Sequence, residues 1–203
     1  MTNLTGKNIA LLHQRSREWG LALTEAQLGL IDEYISSLKH YSKSLNLISR
    51  ADIDHVFELH IFDSLEVLAA INHFVSEWDW NKKQDIKLLD VGSGAGLPGI
   101  PLAIALAKAC VDLIEKSSKK CLFLQSVITK LELKNAKVIN LSLEEYARNQ
   151  VIDYDFILCR AVKSFQECAK LSAGFIDRGA KLIYFSRRSG RLSERFRVYP
   201  QKR

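Results

Sequence analysis

The stretch Leu88-Leu89-Asp90-Val91-Gly92-Ser93-Gly94-Ala95-Gly96-Leu97-Pro98-Gly99-Ile100-Pro101 decides the fold of this chain. An apolar run of β type ends at a carboxylate, passes through four glycines within eight residues and leaves as an alanine- and leucine-rich helix. A strand, a tight turn and a helix in this order form the first unit of a doubly wound α/β sheet. Because glycine accepts positive φ and has no Cβ, such a turn usually faces a nucleotide-like ligand.

Two cofactors, NAD and S-adenosylmethionine, are candidates for binding at this turn. Read literally, Gly94-x-Gly96-x-x-Gly99 matches the dinucleotide fingerprint, and Glu115 lies about as far downstream as the ribose-binding acid. However, the turn already begins at Gly92, and Asp90 lies at its mouth, where a carboxylate would repel a pyrophosphate. S-adenosylmethionine carries a sulfonium and an ammonium, for which acids are favourable neighbours. The sequence therefore favours S-adenosylmethionine over NAD.

Beyond the quoted stretch, the hydrophobic period alternates between strand and helix spacing. The predicted strands cover 86–91, 110–115, 137–140, 155–159 and 180–185, and the predicted helices between them cover 101–109, 118–131, 143–149 and 164–175. Strict alternation of this kind predicts a mostly parallel sheet that is covered on both faces. The fold class is therefore α/β, with a Rossmann-like sheet.

The residues that precede the sheet have helical patterns. Thr24-Glu25-Ala26-Gln27 has the form of a capping box, and apolar residues then recur at helical spacing up to Leu38. Further helices are predicted over 52–59 and 63–74. Because no glycine- or proline-rich linker follows, we expect a helical cap over 1–75, packed on a Rossmann-like domain over 76–203 that ends in a basic segment.

Ligands of parallel sheets bind beyond the carboxyl ends of the strands, so the residues there are the candidates for a site. These residues are Asp90, Gly92 and Gly94 after the first strand, Glu115 after the second, Leu143 and Glu144 after the third, and Arg160 after the fourth. A carboxylate such as Glu115 can bind both ribose hydroxyls, and Glu144 suits the amine of adenine. Either acid alone could equally be a solvated carboxylate at a helix start, but the two in register indicate a nucleotide site.

Positive charge is concentrated at the C-terminal end. The net charge is +6, and residues 178–203 hold nine of the 29 basic residues but one of the 23 acids. Such a cluster indicates a polyanionic partner, nucleic acid first, because it neutralises phosphates with release of counterions. The alternative is a solvated tail.

Compartment and cysteine use are predicted together. The longest apolar run is too short to span a bilayer, and no secretory leader is evident at the start of the chain. The four cysteines, Cys110, Cys121, Cys159 and Cys168, contain no C-x-x-C pair and fall within predicted elements. We therefore expect a cytoplasmic protein with thiols in its core, no metal site and no association with membranes.

The glycine turn resembles the signature of the glucose-inhibited division protein B family, and its Leu97-Pro98-Gly99-Ile100-Pro101 extension is absent from most methyltransferase turns. Supporting matches occur in family order at Asn46-Leu47-Ile48-Ser49-Arg50, His60-Ile61-Phe62-Asp63-Ser64, Leu143-Glu144-Glu145 and Arg160-Ala161. The resemblance implies a bacterial enzyme that methylates N7 of one guanine in 16S, small-subunit ribosomal RNA with S-adenosylmethionine. It fails after the fifth predicted strand, where the family's Lys-Gly pair is replaced by Tyr184-Phe185-Ser186-Arg187-Arg188 and closing antiparallel strands are hard to recognise.

Carried over residue by residue, the family's cofactor contacts fall on Gly92, Leu97, Leu143, Glu144 and Arg160. The candidates for contact with RNA are Arg50, His60, Lys163, Arg187 and Arg188, with Arg191, Arg195 and Arg197 in the same basic run. The implied partner is ribosomal RNA or a ribosomal particle, bound by a monomer, and no general base is expected because N7 carries no proton. A small-molecule methyltransferase, an NAD-dependent oxidoreductase and a non-catalytic RNA-binding module remain as alternatives.

Overall fold

The computed structural model describes residues 3–75, 85–149, 152–160, 163–186 and 192–200. These contain one six-stranded sheet, in the order β3-β2-β1-β4-β5-β6. Its strands are β1 (Lys87–Val91), β2 (Cys110–Ile114), β3 (Ala136–Ile139), β4 (Phe156–Cys159), β5 (Lys181–Phe185) and β6 (Phe196–Tyr199). The first five are parallel and β6 is antiparallel to β5. The order of the strands reverses between β1 and β4, which makes the carboxyl end of β1 the topological switch point.

Helices cover both faces of this sheet, as the alternating pattern predicted. One face packs against α5 (Gly99–Ala105) and α6 (Ser118–Lys130), together with the N-terminal helices, in a single continuous core. The other face packs against α7 (Leu143–Asn149), α8 (Phe165–Leu171) and α9 (Ala173–Asp177).

The N-terminal helices pack against the inner side of the glycine turn. They are α1 (Gly6–Glu18), α2 (Glu25–Leu45), α3 (Asp63–Leu65) and α4 (Val67–Phe74). The capping box at the start of α2 is confirmed, because the Thr24 hydroxyl accepts from the backbone N–H of Gln27 while the Gln27 side chain accepts from the Thr24 N–H. Further along α2, the buried Tyr34 hydroxyl donates to the carbonyl of Ala95 at 2.7 Å, which fixes the helix to the turn.

The segment between α2 and α4 differs from the two helices that were predicted over 52–59 and 63–74. It forms a 3₁₀ helix (Arg50–His55), then a π-helical segment (Phe57–Phe62), then the single turn α3. The carbonyls of Leu59 and His60 in this π-helical segment both accept hydrogen bonds from Arg160. Single π turns inside helices occur often at functional sites, so this irregularity points to the surface that it faces.

The C-terminal segment forms an antiparallel strand that the sequence reading did not recognise. After the short helix α10 (Leu192–Arg195), β6 pairs with β5 along its whole length. Phe196 and Val198 are buried while Arg197 and Tyr199 are exposed, which is the period of two that a half-buried edge strand requires.

Several expectations lie at the limits of the described residues. Arg187, Arg188 and Arg191 fall outside them, as does the stretch 76–84 that contains the boundary between the predicted cap and sheet regions, so that division stays a prediction.

Cysteine placement is corrected at one position: Cys121, Cys159 and Cys168 are buried, but Cys110 is exposed because it is the first residue of β2, at the amino edge of the sheet. Within the described ranges, no helix is long and apolar enough to cross a membrane.

Candidate active site

The glycine turn is shaped by close packing as much as by its backbone angles. Gly92, Gly94 and Gly96 all have positive φ, at 66°, 54° and 90°. A Cβ on Gly96 would lie 2.6 Å from Cγ1 of Ile100 and 3.1 Å from the Tyr34 hydroxyl oxygen. Because a larger residue would be both strained and crowded here, the turn is closed against α2 and α5 on its inner side.

Asp90 lies beneath the turn, and it lines neither of the clefts described below. Its side chain is buried, and Oδ2 accepts from the backbone N–H of Gly99 at 3.0 Å. Burial raises the pKa of this carboxyl to about 7, although the Gly99 hydrogen bond opposes the shift. The structure therefore corrects the predicted cofactor contact: the strand alternation directs Asp90 into the packing with α5, where it supports the turn.

The Glu115 side chain links the glycine turn to the segment that follows β2, and it lies on the side of the turn that faces a cleft. One carboxylate oxygen accepts from the backbone N–H of Gly94 at 2.9 Å, and the other accepts from the N–H of Ser117 at 2.8 Å. The residue is only 7% exposed. Each carboxylate oxygen can accept a second hydrogen bond, so this fixed carboxylate can still receive two hydroxyl donors.

A cleft of about 460 Å³ opens beside Glu115 at the carboxyl edge of the sheet. It brings together the predicted Gly92, Glu115, Leu143, Glu144 and Lys163, and its other lining residues are Val91, Ile114, Lys116, Lys120, Leu141 and Ser142. We call it the first cleft.

Glu144 and Lys163 form an ion pair at the wall of the first cleft, with 3.0 Å between Oε1 and Nζ. The backbone N–H of Glu144 itself, followed by Lys163, holds the pKa of the Glu144 carboxyl below its usual value. Lys163, which was predicted to contact RNA, therefore lies with the predicted cofactor residues.

A second cleft of about 280 Å³ lies on the other side of the turn. Gly92 lines both clefts, so they meet at the switch point. The predicted residues on this side are Gly94, Leu97, His60 and Arg160, joined by Leu47, Ile48, Ser49, Asp52, Ser93 and Ala95. Arg50 is exposed on the 3₁₀ helix and does not line this cleft.

Arg160 extends from the end of β4 toward the cap. Its guanidinium donates to the carbonyl of Leu59 at 2.9 Å and to the Ser64 hydroxyl at 3.1 Å. Nη2 also lies 3.2 Å from Nδ1 of His60, whose Nε2 is 3.2 Å from Oδ2 of Asp52. His60 is thus a buried member of a hydrogen-bonded chain that runs from Asp52 to Arg160.

The sequence reading missed the acids that anchor this chain. Oδ2 of Asp63 lies 3.1 Å from Arg160 Nη2, and its Oδ1 lies 2.5 Å from Nη2 of Arg195. Arg195 also pairs with the buried Glu66, which in turn pairs with Arg15 at 2.7 Å. Asp63 belongs to the motif His60-Ile61-Phe62-Asp63-Ser64 quoted above, but no role was assigned to it, and the signal for Glu66 was its place as an acid in a largely apolar helical run.

This network corrects one of the predicted RNA contacts. Arg195 belongs to the basic run, but it is 8% exposed and both its partners are buried carboxylates. Two buried acids so close together require a cation, because unpaired buried charges are costly. Arg197 is exposed and lies over the ring of Phe165, with 5.5 Å from Cζ to the centroid.

The sheet order, the glycine turn at the switch point and the acid beside it together define a class of protein. A mostly parallel sheet with an antiparallel edge strand, a packed glycine turn and a carboxylate bound to the turn amide are those of a Rossmann-like methyltransferase. Among the described residues, no group of histidine, cysteine and carboxylate side chains could hold a metal ion.

The chain belongs to the family of rRNA small subunit methyltransferase G, whose model matches residues 27–189. It is 33% identical over 165 residues to ribosomal RNA small subunit methyltransferase G of Oenococcus oeni, covering 80% of this chain and 65% of that protein. The protein of the same name from Hydrogenovibrio crunogenus is 35% identical over 159 residues, covering 78% and 67%. The chain thus spans about two thirds of the length of these relatives.

A solved structure of a mutant of MtNAS has a TM-score of 0.51 and 14% identity, covering 78% of this chain and 58% of that one. At this identity the likeness concerns the fold alone. The family match includes the glycine turn, both clefts and the predicted site residues up to Arg188, but not Arg191, Arg195 or Arg197.

Proposed function

We propose that this protein transfers a methyl group from S-adenosylmethionine to N7 of a guanine in 16S ribosomal RNA. The observation that carries the proposal is the Glu115 carboxylate, fixed by the Gly94 and Ser117 amides at the mouth of a 460 Å³ cleft. Membership of the methyltransferase family supports it. The cofactor predicted from the acids at the strand ends and the family match over residues 27–189 both indicate a methyltransferase.

We assign the nucleoside part of S-adenosylmethionine to the first cleft. The remaining lone pairs of Glu115 suit two ribose hydroxyls, and Glu144 with the buried Leu143 suits an adenine. Gly92 allows close approach to the backbone. The cleft volume is within the usual range for sites of small molecules.

The same geometry disfavours NAD. A pyrophosphate is bound by free amides of the turn at a helix N-terminus. Here the Gly94 N–H already donates to the Glu115 carboxylate, which would repel a phosphate from that amide. The oxidoreductase alternative is therefore not favoured.

We assign the acceptor guanine to the second cleft, because the two clefts meet at Gly92. N7 has an in-plane lone pair and no proton, so the N7–CH₃ bond can form as the S–CH₃ bond breaks without a general base. S-adenosylmethionine supplies the methyl group as an electrophile. The protein has to orient the base and exclude water, which is catalysis by positioning.

His60 and Arg160 suit this positioning role. Both line the second cleft, and both are fixed by the chain of contacts from Asp52 to Asp63. The positive charge of Arg160 can attract the cofactor carboxylate, and Leu97 offers an apolar edge to the base. We place the exposed Arg50 at the rim of the second cleft, where it can contact an RNA phosphate. We also propose that the protein acts as a cytoplasmic monomer, on naked RNA or on a ribosomal particle.

Calorimetry and a transfer assay test the proposal together. S-adenosylmethionine and its demethylated product should bind, and tighter binding of NAD would contradict the cofactor assignment. Labelled methyl should pass to small-subunit ribosomal RNA, naked or assembled, and not to large-subunit ribosomal RNA. Binding of S-adenosylmethionine with no transfer to either small-subunit substrate would instead favour a small-molecule acceptor, and binding of RNA alone would favour the non-catalytic module.

A further inference from the structure

We propose that the outer face of α2 and α6 is a binding surface for ribosomal RNA. We call it the helix-pair face and define it by His40 and Tyr41 on α2 and by Lys119, Leu122, Ser126 and Lys130 on α6. This inference rests on the proposed function, since it says where the substrate extends beyond the reacting base. It adds a second candidate surface for the polyanion to the one predicted from the C-terminal basic run.

The charge pattern of the two helices is the first support. The last ten residues of α2, 36–45, contain Lys39 and Lys43 and no acid, and α6 contains Lys119, Lys120 and Lys130 and no acid. Two neighbouring helical segments with five bases and no acids attract a polyanion.

The two helices pack against each other and hold a groove of about 610 Å³ between them. Its lining is polar at both sides, with Ser36, Ser37, His40 and Tyr41 from α2 and Ser126, Val127 and Lys130 from α6. Lys130 Nζ lies 3.3 Å from the Ser37 hydroxyl oxygen, so an exposed ammonium is held over the groove. Hydroxyls and an ammonium in one groove suit phosphate oxygens and ribose 2′-hydroxyls.

The exposed large side chains of this face are the second support. Tyr41 is 40% exposed and Leu122 is 72% exposed, and Leu122 falls with Lys119, Ser126 and Lys130 on one stripe of α6. The Tyr41 ring is edge-on to Phe123 at 5.6 Å between centroids, which fixes its orientation. A fixed, partly exposed aromatic ring among lysines is the usual arrangement for stacking an unpaired base.

The helix-pair face is continuous with both clefts. The C-terminal end of α2 leads directly into Leu47, Ile48 and Ser49, which line the second cleft. The N-terminal end of α6 carries Lys120, which lines the first cleft. An RNA strand whose target base enters the second cleft can therefore continue along this face.

The test compares RNA binding by matched charge variants across a salt series. In the Lys119→Gln/Lys130→Gln double variant, small-subunit ribosomal RNA should bind more weakly, and the slope of log affinity against log salt should fall by about 0.7 to 0.9 per lysine. The control is Lys108→Gln/Lys134→Gln, which removes the same charge from exposed positions at the opposite edge of the sheet. Its slope should match that of the wild type, as should the affinity of all variants for S-adenosylmethionine.

Tyr41 tests the stacking separately. Tyr41→Leu should weaken RNA binding about 5- to 150-fold, while Tyr41→Phe should bind like the wild type because it keeps the ring. Equal salt slopes for the two double variants would overturn the proposal even if the wild type methylates RNA. Loss of binding to vesicles of anionic lipid, with RNA binding unchanged, would also overturn it in favour of a membrane partner.

Discussion

At the scale of single residues, Glu115 has two roles, and one substitution affects both. It offers lone pairs to the first cleft, and it also holds two backbone amides from different segments. Removal of the carboxylate would take an ionised acceptor from both amides, so Glu115 contributes to stability as well as to the cleft.

We expect Glu115→Gln to weaken binding of S-adenosylmethionine about 10- to 100-fold and to lower the free energy of unfolding by about 1–3 kcal/mol. The amide group of glutamine can accept one of the two backbone hydrogen bonds but not both. Calorimetry and urea denaturation measure the two effects, with the exposed Glu33→Gln as control. Unchanged cofactor affinity in the Glu115 variant would contradict the assignment of the first cleft.

Asp90 predicts a pH dependence of stability. Its pKa in the folded protein is raised by burial to about 7, above the value of an exposed carboxyl. The folded state therefore favours the protonated form, so this residue's contribution is complete at low pH and is lost as the pH rises through about 7. We expect the wild type to lose stability between about pH 5 and pH 8 relative to Asp90→Asn, which cannot titrate. Urea midpoints of both proteins at the two pH values measure it, and parallel changes would contradict the prediction.

At the scale of elements, the glycine turn depends on close contact rather than on flexibility. A Cβ on Gly99 would lie 2.2 Å from Cδ2 of Leu113 and 2.7 Å from Oδ2 of Asp90, whereas a Cβ on Gly29 in α2 would have no atom within 4 Å. Gly99→Ala should therefore lower the free energy of unfolding by about 1–3 kcal/mol. Gly29→Ala should raise it by about 0.5–1 kcal/mol, because alanine is the better helix former. Equal effects in thermal denaturation would contradict this account of the turn.

Two acids, Asp63 on α3 and Glu66 between α3 and α4, provide a matched pair of variants for the positioning of Arg160. Asp63 contacts both Arg160 and Arg195, whereas Glu66 contacts Arg195 and Arg15. Both Asp63→Asn and Glu66→Gln should destabilise the protein, because each weakens a buried ion pair. Only Asp63→Asn should also slow methyl transfer, by about tenfold or more at a temperature where both proteins are folded, since small displacements of positioning groups reduce rates strongly. Equal transfer rates would show that Arg160 is fixed without Asp63.

The sequence predicted the elements that follow simple periods and missed those set by distant partners. The alternation from β1 to β5 and the capping box of α2 are local patterns, and the structure confirms them. The π-helical segment contacts Arg160, which is about 100 residues later in the sequence. Arg195 is buried against Asp63 and Glu66, which are separated from it by an even longer stretch of sequence. Similarly, the glycine spacing indicated a ligand turn, but only the packing of α5 shows that Asp90 faces inward.

At the scale of the whole molecule, the parts of the site come from opposite ends of the chain. The second cleft lies between cap residues such as His60 and the end of β4, and its Arg160 is linked through Asp63 to Arg195, which directly precedes β6. The described C-terminal basic residues differ in their surroundings: Arg195 is paired with buried acids, whereas Arg197 is exposed. The N-terminal helical segments, the sheet and its edge strand together position the meeting point of the two clefts.

One measurement tests this account most directly: the identity of the methylated nucleoside. Small-subunit ribosomal RNA, naked and assembled, is incubated with the protein and labelled S-adenosylmethionine, then digested to nucleosides and separated. We expect a single labelled product, 7-methylguanosine, at one position in the RNA, and we expect its yield to be strongly reduced for Glu115→Gln. Label on a ribose, on an exocyclic amine or on another base, or no label from either form of the RNA, would contradict it.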